Sequence, residues 1–371
     1  MKILWINHRD IKHPKAGGAE RTIFEVGKRF VKKGIEINVL SVNNGELKER
    51  EVIEGINYMR VRGNFRIHFL LPFYIRKINP DVIIDDLAHG IPWLSPWFTK
   101  RQVIVFFRHL HARSLPGQVN FIEEKIIKIM EKMYPFFYKK NIFVTESYTS
   151  EADLINLGIK KENIFKIPPG VDLERFYPGI KKENVQLIYF GGLRKYKRPD
   201  LSIKVYEDLY KDIKGLKLIV TGQGPMLKSI MEQVKNKNYN IQFTGKVKDE
   251  ELAKLIRESW VNLHFSVTEG WGYSILESSA SGTPTVAFKV PGVVETIKDG
   301  YNGFTVEKLE EFKNRILTII DNEKIYADNS RSFAENFSWD ETTEMWMSLI
   351  NFNKENDRKF LNTVKYNQKK N

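Results

Sequence analysis

Short runs of nearly continuous apolar, β-rich sequence recur along this chain, with segments of helical spacing between them. In the first half they include KILWI, IEINVLSV, DVIIDD, QVIVFF and NIFVTES. In the second they include VQLIYFGG, LKLIVTG, NIQFTGKV, VNLHFS and TPTVAF. A strand with one wet face alternates apolar and polar residues, whereas a strand covered by helices on both faces does not. Residues 19–33 place Ile23, Val26, Phe30 and Val31 at helical spacing. The pattern predicts an α/β chain of parallel, doubly wound sheets. At 371 residues, too many for one ordinary core, two such domains are expected. Their expected bounds are 1–170 and 171–345, followed by a last helix and polar tail over 346–371. The proline- and glycine-rich stretch IPPGVDLERFYPGIKKEN (167–184) reads as the linker. Ligands of open α/β sheets bind outside the carboxyl ends of the strands, so functional residues are expected just after strands.

Composition narrows the classes. A hydrophobic fraction of 42% and a charged fraction of 28% suit a soluble globular protein. No run approaches the ~18 apolar residues of a membrane span. The opening MKILWINHRD reads as a first buried strand rather than a signal peptide, so a cytoplasmic protein is expected. Cysteine is absent, which excludes disulfides, thiolate nucleophiles and Cys-ligated metal centres. Net charge is +13, and residues 1–183 hold 31 Lys and Arg against 21 Asp and Glu. That surplus points to an anionic partner: nucleic acid, a phosphorylated substrate or an acidic membrane face. No basic stripe interleaved with aromatics is present, which argues against nucleic acid.

The stretch VNLHFSVTEGWGYSILESSASG reads strand, loop, helix. A glycine-rich loop entering a helix offers bare N–H groups and a positive dipole end, a seat for phosphate. Gly270 and Gly272 allow a close backbone approach that a Cβ would block. With a helix starting near Tyr273, Glu277 lies one turn in and its side chain tilts back toward the N-terminus, where it can accept hydrogen bonds from vicinal hydroxyls. Glu269 precedes the loop and faces the other end of such a ligand. Taken by itself, the stretch could equally be a glycine turn flanked by solvated glutamates.

The stretch resembles the signature of the retaining family-4 glycosyltransferases, a Glu, a Gly-aromatic-Gly loop and a second Glu eight positions on. The resemblance extends over residues 245–306, the linker PPGVDLERFYP, the strand end TGQGP (221–225) and GGAERTIFEVGKRFVKKGIEINVLSV (17–42). It implies two facing Rossmann-like domains (the GT-B fold), with the last helix crossing back to the first. The first domain would bind the acceptor and the second a nucleotide-diphosphate sugar, with no metal and no further cofactor. By the same resemblance Glu277 binds the donor ribose, while Glu269 contacts the sugar or supports its developing charge. Gly270, Trp271 and Gly272 present backbone to the diphosphate, and Tyr273 completes this donor-binding set. Gly17 and Gly18 form a loop against the donor. In FGGLRKYKRPD (190–200), Lys197 matches the family's diphosphate lysine. The family's arginine position is Gly192, leaving Arg194 or Lys195 as candidates to replace it.

In VIVFFRHLHARS (103–114), His109 and His111 follow a strand. The His-x-His spacing could ligate zinc, but no further ligand pattern supports a metal. The family places a histidine here facing the donor sugar; His109 fits better by distance from the strand, and His111 stays an alternative. Arg108 and Arg113 are candidates for an anionic acceptor or the leaving diphosphate. Asp85 and Asp86 resemble a metal-binding acidic pair but read as structural or acceptor-side residues. The leading expectation is a retaining sugar transferase acting on a glycan, glycolipid or lipid-linked acceptor. The alternatives are a non-catalytic nucleotide-sugar binder or a related epimerase. An anionic membrane surface is a further expected partner, from the basic first half and the apolar segments IHFLLPFYIRK (67–77) and FIEEKIIKIMEKMYPFFYKK (121–140).

Overall fold

The computed structural model describes residues 1–43, 45–115 and 119–351; the polar tail beyond lies outside the described residues. Fourteen strands are present in that part: β1 (Lys2–Ile6), β2 (Glu36–Asn43), β3 (Arg50–Ile53), β4 (Ile56–Arg62), β5 (Val82–Asp86), β6 (Gln102–Phe106), β7 (Ile142–Thr145), β8 (Ile164–Lys166), β9 (Gln186–Phe190), β10 (Lys217–Thr221), β11 (Ile241–Gly245), β12 (Val261–His264), β13 (Thr285–Phe288) and β14 (Gly303–Val306). They form two sheets, ordered β3-β4-β2-β1-β5-β6-β7-β8 and β11-β10-β9-β12-β13-β14. Every neighbouring pair is parallel except β3 and β4.

That exception is a hairpin at the edge of the first sheet. Its two-residue turn, Glu54 and Gly55, has both φ angles positive, at 50° and 78°. Turns of this kind match the twist of paired strands, so the Glu-Gly step was the available signal for the hairpin.

Helices cover both faces of the first sheet. Helix Gly18–Lys32 buries Ile23, Val26 and Phe30 against Ile3, Trp5 and Val39. On the other face, helix Arg66–Ile78 turns Ile67, Leu71 and Ile75 into a second cluster with Trp93, Tyr134 and Tyr138. The two carboxylates at the end of β5 diverge, as alternation along a strand requires. Asp85 accepts from Ser95 Oγ (2.5 Å) and Tyr138 Oη (3.0 Å). Burial pushes its pKa up to about 6 against those bonds. Asp86 accepts from the Trp5 indole (3.2 Å) and from Arg108 (2.7 Å). Both acids are engaged by protein groups.

The last helix is Trp339–Ile350, capped by Ser338, whose hydroxyl accepts from Glu341 N at 3.1 Å. It begins before the expected position 346 and returns to the first domain. There the Trp346 ring centroid lies 5.2 Å from Trp5 and 5.0 Å from Phe106. Arg29 pairs with Asp340 at 2.6 Å and Lys33 with Glu344 at 2.6 Å along the same contact.

Candidate active site

Strand β12 ends at His264, and the loop that follows carries Glu269 back over the neighbouring strand ends. The loop is pinned by Val267 N donating to Tyr196 O (3.0 Å) and Glu269 N to Pro291 O (3.0 Å). Gly292, at φ 78°, must be glycine, since a Cβ there would sit 2.4 Å from the Glu269 carbonyl oxygen. The Glu269 carboxylate is ion-paired with Lys197 and lies 3.1 Å from His264 Nε2. Burial opposes its ionisation, yet Lys197 and His264 override that and hold its pKa well below the usual carboxylate range. Burial likewise works against the Lys197 ammonium, and Glu269 overrides it, so the lysine pKa is raised. The site therefore keeps a fixed anion and a fixed cation in contact.

The first domain meets this pair at Gly270. A Cβ on Gly270 would lie 3.2 Å from the Arg108 carbonyl oxygen and 3.4 Å from His109 Nδ1. The His109 ring is held neutral, its pKa lowered to about 3 by burial and by His111, with Glu269 pulling the other way. Glu269, Lys197 and His109 thus converge from two domains on one point.

Helix Tyr273–Ala280 begins directly after, with Gly272 at φ 96° as its N-cap. A side chain there would be strained and would meet Thr296 Oγ1 at 2.9 Å. Among the described residues, no protein acceptor takes the amides of residues 270 to 274. These unpaired donors at a helix N-terminus suit an anion. Glu277 sits one turn in, half-buried, and no described residue donates a hydrogen bond to its carboxylate. Burial raises its pKa to about 7, Arg21 and Arg175 pull it down, and Asp249 and Asp172 push it up. Asp249 itself bridges Arg21 (2.7 Å) and Arg175 (2.9 Å).

Residues 171–336 match the model of the glycosyl transferases group 1, and residues 16–175 match that of glycosyltransferase family 4. An uncharacterized glycosyltransferase of Methanocaldococcus jannaschii is 31% identical over 91% of this chain and 95% of its own length. The chain belongs to the group 1, family-4 glycosyltransferases. Sucrose-phosphate synthase from Thermosynechococcus elongatus superposes with a TM-score of 0.79 at 17% identity, over 94% of this chain and 98% of that one. Anabaena HepE, solved with UDP-glucose, gives 0.74 at 18% identity, over 94% and 99%. The fold is GT-B, two facing parallel-sheet α/β domains, and by its family the enzyme is a glycosyltransferase.

Within this glycosyltransferase several expected residues take other parts. The Tyr273 hydroxyl is taken up by the first domain: it donates to Glu146 Oε1 (2.5 Å) and meets Thr22 Oγ1 (2.5 Å). Gly18 is glycine because a Cβ would strike the Tyr273 ring at 2.6 Å. Gly17 donates to Glu20 Oε2 (2.7 Å) at the helix start. The Trp271 ring is buried against Phe337, leaving only its backbone for a ligand. The His111 ring lies 4.7 Å from that of His109 but is held by the first domain, its Nε2 2.9 Å from Ala88 O and its amide donating to Glu131 at 2.6 Å.

The two expected anion-binding arginines of the first domain are also committed. Arg108 pairs with Asp86 and Glu146 (2.7 and 2.5 Å), and Arg113 forks onto Asp153 (2.6 and 2.7 Å). In the donor domain Arg194 folds back over Gly192, its Nε 3.7 Å from where a Cβ would stand, and its charge acts on Lys197. Its side chain therefore runs through the space beside the substituted position. His264, Arg21, Glu146 and Thr22 were not singled out from sequence. Only His264 had a local signal, a histidine at the carboxyl end of a predicted strand.

Proposed function

We propose that the enzyme transfers a sugar from a nucleotide-diphosphate donor with retention of configuration and without a metal ion. The observation that carries this reading is the convergence of the Glu269–Lys197 pair, the unpaired amides of residues 270 to 274 and neutral His109 at one point. The amides and Lys197, with Arg194 beside it, hold the diphosphate and stabilise charge as it leaves. Glu277 accepts the ribose hydroxyls. Glu269 and His109 hold the sugar for attack from the first-domain side. A panel of nucleotide sugars is screened for thermal stabilisation, and the best donor is used for transfer with the product's anomeric configuration read by NMR. An inverted product sinks the retaining assignment. Loss of transfer in EDTA, restored by manganese or magnesium, sinks the metal-free one.

The acceptor is lipid-linked and met at an anionic membrane surface. Helix Arg66–Ile78 faces its core with Ile67, Leu71 and Ile75, but presents Phe69 and Phe73 outward, with Phe69 84% exposed and Phe65 exposed just before the helix. Helix Phe121–Lys132 exposes Phe121, Ile122, Ile126 and Ile129, and Phe136 and Trp97 adjoin each other nearby. Arg66, Arg76, Lys77, Lys125, Lys128 and Lys132 lie on the same helices. Apolar side chains beside cations suit insertion at an anionic leaflet, worth about 1 kcal/mol per cation. Among the described residues no helix is long and apolar enough to cross a membrane. Cosedimentation with anionic but not neutral liposomes, weakened by salt, is expected; negligible binding to both at low salt leaves a soluble acceptor.

A further inference from the structure

Six of the seven histidines belong to the first domain, and three of them form a group that the chemistry above does not use. His8 follows β1, His89 follows β5, and His68 lies in the first turn of helix Arg66–Ile78. The His8 ring centroid lies 4.6 Å from His89, 5.8 Å from His68 and 4.7 Å from Trp93. His68 stacks on Trp93 at 4.6 Å and 20°. Among the described residues none hydrogen-bonds to these three rings, and His8 Nε2, His68 Nε2 and His89 Nδ1 are buried without a partner. Each such atom has given up its hydrogen bonds to water with nothing in return, a net cost to folding. A fold that repeats this cost at the ends of three separate elements, on the strand edge where α/β sheets bind ligands, has a reason outside its own packing.

We propose that His8, His68 and His89, backed by Trp93, form the subsite for an uncharged, polyhydroxylated ring of the acceptor. The inference rests on the reading of the cleft as a sugar-transfer site. A neutral imidazole offers one donor and one acceptor, the pair a hydroxyl itself carries, so three imidazoles match a set of ring hydroxyls. Flat aromatic walls with a few convergent polar atoms suit a compact ring. The rings themselves offer an anion no charge: burial, then the neighbouring histidines and the Arg9 guanidinium, lower the pKa of His8 to about 3 and hold that of His89 well below its ordinary value, and Arg9 beside them makes phosphate the competing ligand. Among the described residues no group of three or more potential ligands could hold a metal ion. Trp93 Nε1 is already spent on the Asp86 carbonyl at 2.8 Å, so the indole serves as a wall. His68 and exposed Phe69 are consecutive on one helix, which places this subsite beside the surface assigned to the lipid.

The test is direct binding to the wild-type protein. Histidine ring resonances are followed by NMR while methyl α-glucoside, methyl α-mannoside, methyl α-galactoside and myo-inositol are added, with inorganic phosphate and zinc as competing probes. At least one polyol is expected to shift His8, His68 and His89 saturably while His264 stays still. His89→Gln should retain part of this binding and His89→Phe should weaken it at least 10-fold, with nucleotide binding unchanged in both. The inference is overturned if no polyol moves the three rings, or if phosphate or zinc moves them instead. Nucleotide binding without any polyol shift defeats this inference alone; failure to bind any nucleotide sugar defeats the transfer reading on which it rests.

Discussion

The Tyr273 hydroxyl of the donor domain reaches Glu146 Oε1 of the first domain at 2.5 Å, so the helix proposed to seat the phosphate also fastens the two domains together. Around it Arg108 binds Glu146 and Asp86, and Thr22 meets the same phenol. Glu295 adds a second fastening, accepting from Tyr148 N (2.6 Å) and Thr149 N (2.8 Å).

Tyr273→Phe should loosen that closure. The ring still covers Gly18, but Glu146 loses one charge-assisted bond, worth about 1.5–3 kcal/mol. A larger radius of gyration in nucleotide-free solution scattering is expected, with the secondary structure retained. An unchanged scattering curve would mean that the remaining contacts hold the domains closed without the phenol.

Glu277→Gln should trade binding for stability. The folded pKa of about 7 exceeds the ordinary 4.5, so the folded state favours the protonated acid. The stability this contributes is fully present below pH 4.5 and is lost as pH rises through about 7. The variant should therefore melt about 2 °C above wild type at pH 8 and level with it near pH 4. Calorimetry should show nucleotide affinity lowered at least 10-fold. In the wild type, affinity should fall as pH drops below about 7. Full nucleotide affinity in the variant would remove Glu277 from the ribose role.

Breaking the Glu269–Lys197 pair should have unequal effects on its two sides. Glu269→Gln should keep nucleotide affinity and lower kcat by about 10²–10³-fold. Lys197→Met should weaken nucleotide binding as well, and cost about 3–5 kcal/mol by leaving a buried carboxylate with only His264 nearby. Equal losses of kcat and nucleotide affinity in both variants would show that the pair acts only as a structural clasp.

His109 and His111 separate in the same way. His109→Ala should lower kcat about 10²-fold with melting temperature unchanged. His111→Ala should instead destabilise, by about 1–3 kcal/mol, through loss of the ring's contact to the Ala88 carbonyl. Since His109 is already neutral above about pH 3, its titration should leave no limb near pH 6.5 in the rate profile. The opposite assignment follows if His111→Ala alone abolishes turnover in a folded protein.

What the sequence made legible was whatever a local pattern encodes. Continuous apolar runs marked the parallel strands, and the Gly-Trp-Gly stretch marked the helix that begins at Tyr273. The edge hairpin was harder, because Arg50–Ile53 and Ile56–Arg62 are short and mixed in polarity. The network between domains was not legible at all. Gly18 reads as an ordinary helix entry until the Tyr273 ring is seen against it, and Gly270 as phosphate clearance until Arg108 and His109 close over it. Nor could the apolar segment 67–77 be divided beforehand, since its Ile and Leu residues face the core while Phe69 and Phe73 face out.

The helix Trp339–Ile350 also governs when the protein can finish folding. Trp346 lies against both Trp5 and Phe106, so a helix that follows the donor domain closes the core of the first sheet. During synthesis the first sheet must therefore wait with that aromatic patch uncovered until the whole of the helix Trp339–Ile350 has emerged from the ribosome. A chain cut short before Trp339 would leave Trp5 and Phe106 without this cover.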